Sequence, residues 1–116
     1  RSPGEHDAWF TDDHEGHPVG VAYLAPEKMT HGTWNLYWIA VAPDYQRQGR
    51  GKALLDHIQT WLIERKQRIL IVETAGVDDF DYVRQFYADH GFEAEARIRD
   101  FYEDGVDKVI FRKALR

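Results

Sequence analysis

The chain has 116 residues, enough for one ordinary domain and too few for two, so a single domain over residues 1–116 is expected. At 43% hydrophobic and 14% aromatic it carries enough apolar surface to offset the entropy of ordering the chain, which excludes disorder throughout. With 0 Cys and a net charge of −5, it excludes thiol nucleophiles, disulfides and Cys-ligated zinc, and argues against a general nucleic-acid binder, which needs a basic face.

The lack of Cys fits a reducing compartment, so the cytoplasm is the expected location. The longest strongly apolar run, Ile69 to Val72, is strand-sized, and no membrane partner is expected. No signal-peptide pattern opens the chain. It begins at Arg1 rather than Met, which points to a truncated, processed or partial N-terminus.

In chain order, residues Arg1 to Gly16 form a polar entry with one edge strand at Ala8 to Phe10. Pro18 to Leu24 reads as a strand, and Pro26 to Gly32 supplies turn residues. Trp34 to Ala42 is apolar at nearly every position, which predicts a strand buried on both faces in mid-sheet. Leu54, Leu55, Ile58, Trp61 and Leu62 recur at helical spacing and predict a helix from about Arg50 to Arg65. Arg65, Lys66 and Arg68 oppose the negative pole at its end. Arg68 to Thr74 is a buried strand. Asp79 or Asp81 then caps a second helix carrying Val83, Phe86 and Tyr87, which stops at His90-Gly91. Phe92 to Ile98 and Val106 to Lys113 are two strands around Asp104-Gly105. The order is β β β α β α β β, an α/β (α+β) fold with a mixed sheet.

Charge is unevenly spread. Gln46 to Arg68 holds six basic residues against two acidic ones, whereas Glu73 to Asp107 holds eleven acids against three bases. A positive island in an acidic body suits a small polyanion; the alternative is a solvated surface. The island overlaps the segment Val41-Ala42-Pro43-Asp44-Tyr45-Gln46-Arg47-Gln48-Gly49-Arg50-Gly51-Lys52-Ala53, which joins the central strand to the first helix. Its glycines permit a tight turn and close approach of an anion, and the first N–H groups of the helix lack internal partners. The segment therefore reads as a phosphate cradle. It is not a Walker loop, since Gln46 and Ala53 occupy positions that need Gly and Ser or Thr. Nor is it a dinucleotide fingerprint, since Leu54 stands where the third Gly belongs.

The spacing that is satisfied is Gln/Arg-x-x-Gly-x-Gly/Ala, at Gln46, Gly49 and Gly51. Here the chain resembles the GNAT superfamily of acetyl-CoA-dependent N-acetyltransferases. Val41 and Pro43 resemble the turn after the family's fourth strand, and Phe86-Tyr87-Ala88-Asp89-His90-Gly91-Phe92 resembles its F-Y-x-x-x-G-F segment. The tail from Asp100 to Lys113 is similar to that of one bacterial-type branch, so the likeness runs from about Asp7 onward. It implies that main-chain groups of Ile39, Ala40 and Val41 pair with the pantetheine arm of acetyl-CoA, that the loop and first helical turn, Gln46 to Ala53, bind the cofactor, and that the amides from about Gln48 to Ala53 hold its pyrophosphate. It implies that Tyr87 lies near the acetyl sulfur and protonates the leaving thiolate; the alternative is an aromatic packed under the sheet. The family's usual first strand and helices are not seen, so the chain is expected to start at the second strand. Many relatives carry Asn where Phe80 stands here.

An amine must lose a proton before it attacks a thioester. Glu73, at the end of the strand before the second helix, is the first candidate for the base; the alternative is a solvated or salt-bridged strand-end carboxylate. Asn35, Tyr37 and Asp78 are weaker candidates for the acceptor side. No metal site is expected, because His14-Glu15-Gly16-His17 lacks the spacing and helix of a zinc motif. Trp34, Trp38 and Trp61 read as core. The expected activity is direct transfer of acetyl from acetyl-CoA to a primary amine of a small molecule or peptide. The alternatives are a catalytically silent CoA-binding module and a fragment with an incomplete site. Open sheet edges favour a homodimer.

Overall fold

Alternation of period two and recurrence of period 3.6 sort the chain into a mixed sheet and two helices. The computed structural model describes residues 6–115. Among them the elements are β1 (Ala8–His14), β2 (His17–Pro26), β3 (Thr33–Val41), α1 (Arg50–Glu64), β4 (Ile69–Ala75), α2 (Asp81–Asp89), β5 (Glu93–Glu103) and β6 (Val106–Ala114). The order agrees with the expectation. The spatial order in the sheet is β1-β2-β3-β4-β6-β5. All neighbours are antiparallel except β3 and β4, which α1 connects as a crossover.

Both helices lie on one face. Leu54, Leu55, Ile58 and Leu62 of α1 and Tyr87 of α2 share one buried cluster with Leu24, Trp34, Leu36, Leu70, Val72 and Phe111 of the sheet. Trp61 sits at the margin of the α1 stripe, edge-on to Phe10 and Trp34 at 5.3 and 5.6 Å. Gly91, at φ 88°, terminates α2 in the left-handed conformation expected of it.

Three expectations are corrected. Neither Asp79 nor Asp81 caps α2: Phe80 is the cap residue, no side chain bonds the cap, and Asp81 lies in the first turn, paired with Arg84. The strand from Trp34 is not buried on both faces to its end. Trp34, Asn35 and Leu36 are buried, but Tyr37 and Trp38 are 52% and 62% exposed, so Trp38 is not core. The cause is a bulge. Leu24 faces Leu36 while Tyr23 faces Trp38, leaving Tyr37 as the extra residue, and a bulge bends its strand. Pairing of β3 with β4 accordingly ends at Leu36 and Val72. Finally, the positive island is split. Arg65, Lys66 and Arg68 stand at the far end of α1, about 22 Å from Arg50 at 1.5 Å per residue.

The core predicts a contrast between neighbours on α1. Leu62 is fully buried, and Leu62→Ala is expected to cost about 2–5 kcal/mol in denaturant unfolding. Ile63, 46% exposed, is expected to change stability by at most about 0.5 kcal/mol as Ile63→Ala.

Candidate active site

Once β3 leaves β4, its outer edge beyond Leu36 has no strand partner, while the other edge stays paired with β2 through Val41. The chain then turns through Pro43–Tyr45 into α1. Gln46 Nε2 donates to the Val41 carbonyl at 2.9 Å and ties the loop to the strand end. Arg47 and Gly49 follow with φ of 63° and 80°. Left-handed residues within a turn gather successive N–H groups into a concavity suited to anions. Gly49 is the N-cap of α1, contributes no side-chain cap, and a Cβ placed on it meets nothing within 4 Å. The first backbone bond into the helix is from Ala53 N–H to the Gly49 carbonyl at 3.0 Å, so the amides of Arg50, Gly51 and Lys52 remain as donors at the turn.

Charge around this concavity differs from the sequence reading. Arg50 is held sideways by the β1 end, its Nη1 on Asp12 Oδ2 at 3.0 Å and its Nη2 3.3 Å from His14 Nδ1. Lys52 pairs with Asp56 at 2.7 Å. Arg47 has no ion pair among the described residues. His14 and His17 face each other across the β1–β2 turn, where Glu15 and Gly16 adopt positive φ.

The free edge of β3, the turn, the first turn of α1 and the inner side of α2 enclose a cleft of about 820 Å³, the size of a ligand site. Of the residues singled out from the sequence, Ile39, Ala40, Val41, Gln46, Arg47, Gly49, Arg50, Gly51, Lys52 and Tyr87 line it. Gln48 and Ala53 do not. Gly51 faces α2: a Cβ on it would be in ordinary contact with the Phe86 ring, at 3.8 Å.

Tyr87 is 4% exposed, packed against Phe86, Phe92 and Phe111. Burial pushes its phenol up to about 12. It therefore keeps its proton through any neutral assay. Glu73 is on the other face of the sheet, just beyond the last β3–β4 pair. Its Oε1 bonds Lys108 Nζ at 2.8 Å and its Oε2 accepts from Asn35 Nδ2 at 3.1 Å. Of the weaker candidates for the acceptor side, Asn35 bonds Glu73, Tyr37 bonds Glu27 and lies in the field of Glu73, and Asp78 lies in the turn before α2. Sequence reasoning missed Lys108 and Glu27, whose Oε1 accepts from Asn35 Nδ2 at 3.0 Å. Lys108 reaches the cluster through the long-range register of β6 on β4, and Glu27 from the connection just after β2, and no local pattern records either. Thr74 Oγ1, on the helix side of β4, is buried without a partner.

Residues 5–94 match the family model described as an acetyltransferase (GNAT) domain. Among solved structures, the chain is similar to one from Desulfovibrio desulfuricans assigned to the GNAT acetyltransferases, at 36% identity and a TM-score of 0.93, covering 96% of this chain and 70% of that one. It is similar to the ribosomal-protein-S18-alanine N-acetyltransferase of Escherichia coli at 28% identity and a TM-score of 0.82, covering 97% and 71% of the two chains. A GNAT family acetyltransferase from Elizabethkingia anophelis with acetyl-CoA bound shares the fold at 20% identity and a TM-score of 0.80, covering 92% and 75%. No curated protein matches the chain. Among the described residues no helix is long and apolar enough to cross a membrane.

The Tyr87 phenol links stability to alkaline pH. Its value is about 12 when folded and 10.0 when exposed, so the unfolded chain loses this proton first. Its contribution is complete below pH 10 and is lost as pH rises through about 12, a fall of roughly 3 kcal/mol. Tyr87→Phe is expected to flatten the unfolding free energy over that interval, measured by denaturant titration at fixed pH steps.

Proposed function

The chain belongs to the GNAT family of acetyltransferases, and from that premise we propose that it transfers acetyl from acetyl-CoA to a primary amine of a small molecule or peptide by direct attack. The observation that carries the reading is the opening between β3 and β4, with a phosphate-competent turn at its end. The unpartnered amides of Arg50, Gly51 and Lys52, and the unobstructed Gly49, fit a pyrophosphate. The free edge of β3 at Ile39, Ala40 and Val41 fits a pantetheine arm lying alongside as an added strand. Acetyl-CoA supplies the activated thioester.

The chain's own groups divide the remaining work by face. Tyr87, neutral and beside the cleft, donates its phenolic proton to the departing sulfur. Glu73, on the opposite face, accepts the proton of the incoming amine, directly or through water. Lys108 orients its carboxylate and Asn35 fixes its second oxygen. Unpaired N–H groups on the β3 edge polarise the carbonyl as charge develops on its oxygen. Acid and base thus stay on opposite sides of the sheet, and the reacting atoms meet in the gap. The exposed edges β1 and β5 support self-association.

One observation favours the silent CoA-binding module as a second reading: the Glu73–Lys108 ion pair occupies the proposed base. Turnover separates the two. With acetyl-CoA and a panel of primary amines, CoA release is expected to depend on acceptor. Tyr87→Phe and Glu73→Gln are each expected to lower kcat by about 10²–10⁴, with CoA affinity changed by less than about threefold. Gly49→Val is expected to weaken CoA binding in calorimetry by at least about tenfold, since it fills the concavity and strains a left-handed residue. Saturable CoA binding with no turnover for any acceptor would establish the silent module instead.

A further inference from the structure

Around the Glu73–Asn35 pair, the sheet face away from the helices carries further side chains, Glu27 and a strip of rings, that acetyl transfer leaves unused. At its centre Asn35, 2% exposed, donates from Nδ2 to both Glu27 Oε1 and Glu73 Oε2, at 3.0 and 3.1 Å. Two carboxylates therefore share one amide. Lys108 answers the charge of Glu73, but Glu27 has no cationic partner among the described residues. It receives only Asn35 and a long 3.4 Å bond from the Tyr37 hydroxyl. The carbonyl oxygen of the same Asn35 amide is buried and unpartnered. The cluster is thus one positive charge and several N–H donors short of balance. Burial and the charges of Glu27 and Glu73 raise the phenol of Tyr37 above its usual range, in keeping with a negative local field.

A strip of rings continues from this cluster. Tyr37 is 5.8 Å from Tyr23, Tyr23 is 4.5 Å from Trp9, and Trp9 is 6.2 Å from Trp38, centroid to centroid. Trp9, Tyr37 and Trp38 are each more than half exposed. Asp7 flanks the strip beside Tyr23, its Oδ2 accepting from the Tyr23 hydroxyl at 3.0 Å. Carboxylates beside an exposed aromatic strip describe one chemistry. Ring faces attract cations by about 0.5–2 kcal/mol, and an ammonium brings three N–H donors.

We propose that Glu27, Asn35, Tyr37 and the Trp9–Tyr23–Trp38 strip form a cation-binding subsite selecting acceptors that carry a second positive charge besides the amine that reacts. The subsite adjoins Glu73 at the mouth of the β3–β4 opening, so a dication bound along the strip presents its other end to the gap. Its role in substrate choice rests on the acetyltransferase reading; its affinity for cations does not.

The test therefore begins with a probe that cannot be acetylated. A bis-quaternary alkylammonium and the mono-quaternary ion of equal chain length are titrated against the protein while tryptophan emission is followed. The bis-cation is expected to bind at least about tenfold tighter, and Glu27→Gln to remove about tenfold of that affinity. Glu27→Asp restores part of it, and Trp38→Phe retains binding where Trp38→Ala loses it. Equal affinity for the two probes, or a Glu27→Gln protein that binds as wild type does, overturns the subsite. In the turnover arm, kcat/KM for alkyl diamines and for a Lys-containing peptide is compared with that for alkyl monoamines. Preference for either dication, expressed in KM, supports the proposal and identifies its source. Monoamines acetylated as efficiently as both overturn it while leaving acetyl transfer intact, whereas dication binding with no acetylation of any amine overturns the acetyltransferase reading alone.

Discussion

The separation of β3 from β4 after Leu36 and Val72 is the constraint on which the rest of the site depends. Parallel strands ordinarily stay paired until one ends, because an unpaired N–H or C=O away from water is costly. Here the strands part while both continue, β3 to Val41 and β4 to Ala75. The extra residue at Tyr37 turns β3 aside, and pairing with β2 resumes on the far side of the bulge, so β3 remains anchored along one edge. The outcome is a rigid wall with one row of backbone groups left open. Tyr87 lies on the helix-covered side of this edge, and Glu73 and Asn35 lie on the other. A bulge that merely relaxed the strand would leave no such open edge.

At the end of that wall the groups left without partners are mainly backbone amides rather than side-chain charges. Lys52 is engaged by Asp56 and Arg50 by Asp12, so the positive island contributes less free charge than its count implies. The amides of the first α1 turn are fixed by the helix itself and lose no side-chain entropy when an anion arrives. Arg50 instead acts as a strut. It links the β1 end to the start of α1 and packs over Tyr45 at 5.2 Å, which holds the turn in register with the sheet.

The order of elements along the chain, α1 and the turn were legible because each rests on short spacing: Leu54, Leu55, Ile58 and Leu62 on one stripe, Gln46, Gly49 and Gly51 in one loop. The bulge was not. Every residue from Leu36 to Val41 except Tyr37 is apolar or small, so a strand that turns aside halfway reads like one buried throughout. Trp38 was assigned to the core for the same reason, since its composition suits either face and only the missing cover on one side decides. The environment of Glu73 was hidden in a different way. Lys108 is 35 positions away on β6, and it meets Glu73 only because β6 inserts between β4 and β5. The sequence allowed a base or a solvated or salt-bridged carboxylate, and the geometry shows the ion pair with Lys108.

Buried groups without partners lie where this design places its costs. Thr74 Oγ1 on the helix side of β4 and Asn35 Oδ1 on the opposite side both flank the point where the strands part. Each forgoes a hydrogen bond, a cost on the order of 1–3 kcal/mol for a buried polar atom. Stability alone would favour Val at 74 and an apolar residue at 35. Asn35 nevertheless spaces Glu27 and Glu73 at a fixed distance and keeps both carboxylates acceptor-rich at the mouth of the gap. Of these two groups, Asn35 Oδ1 lies in the proposed subsite, where a passing ligand can supply the bond; a third unpartnered group among the described residues, Gln59 Nε2, lies on α1. A site that accepts its cation from outside must leave that position unfilled by the protein's own groups.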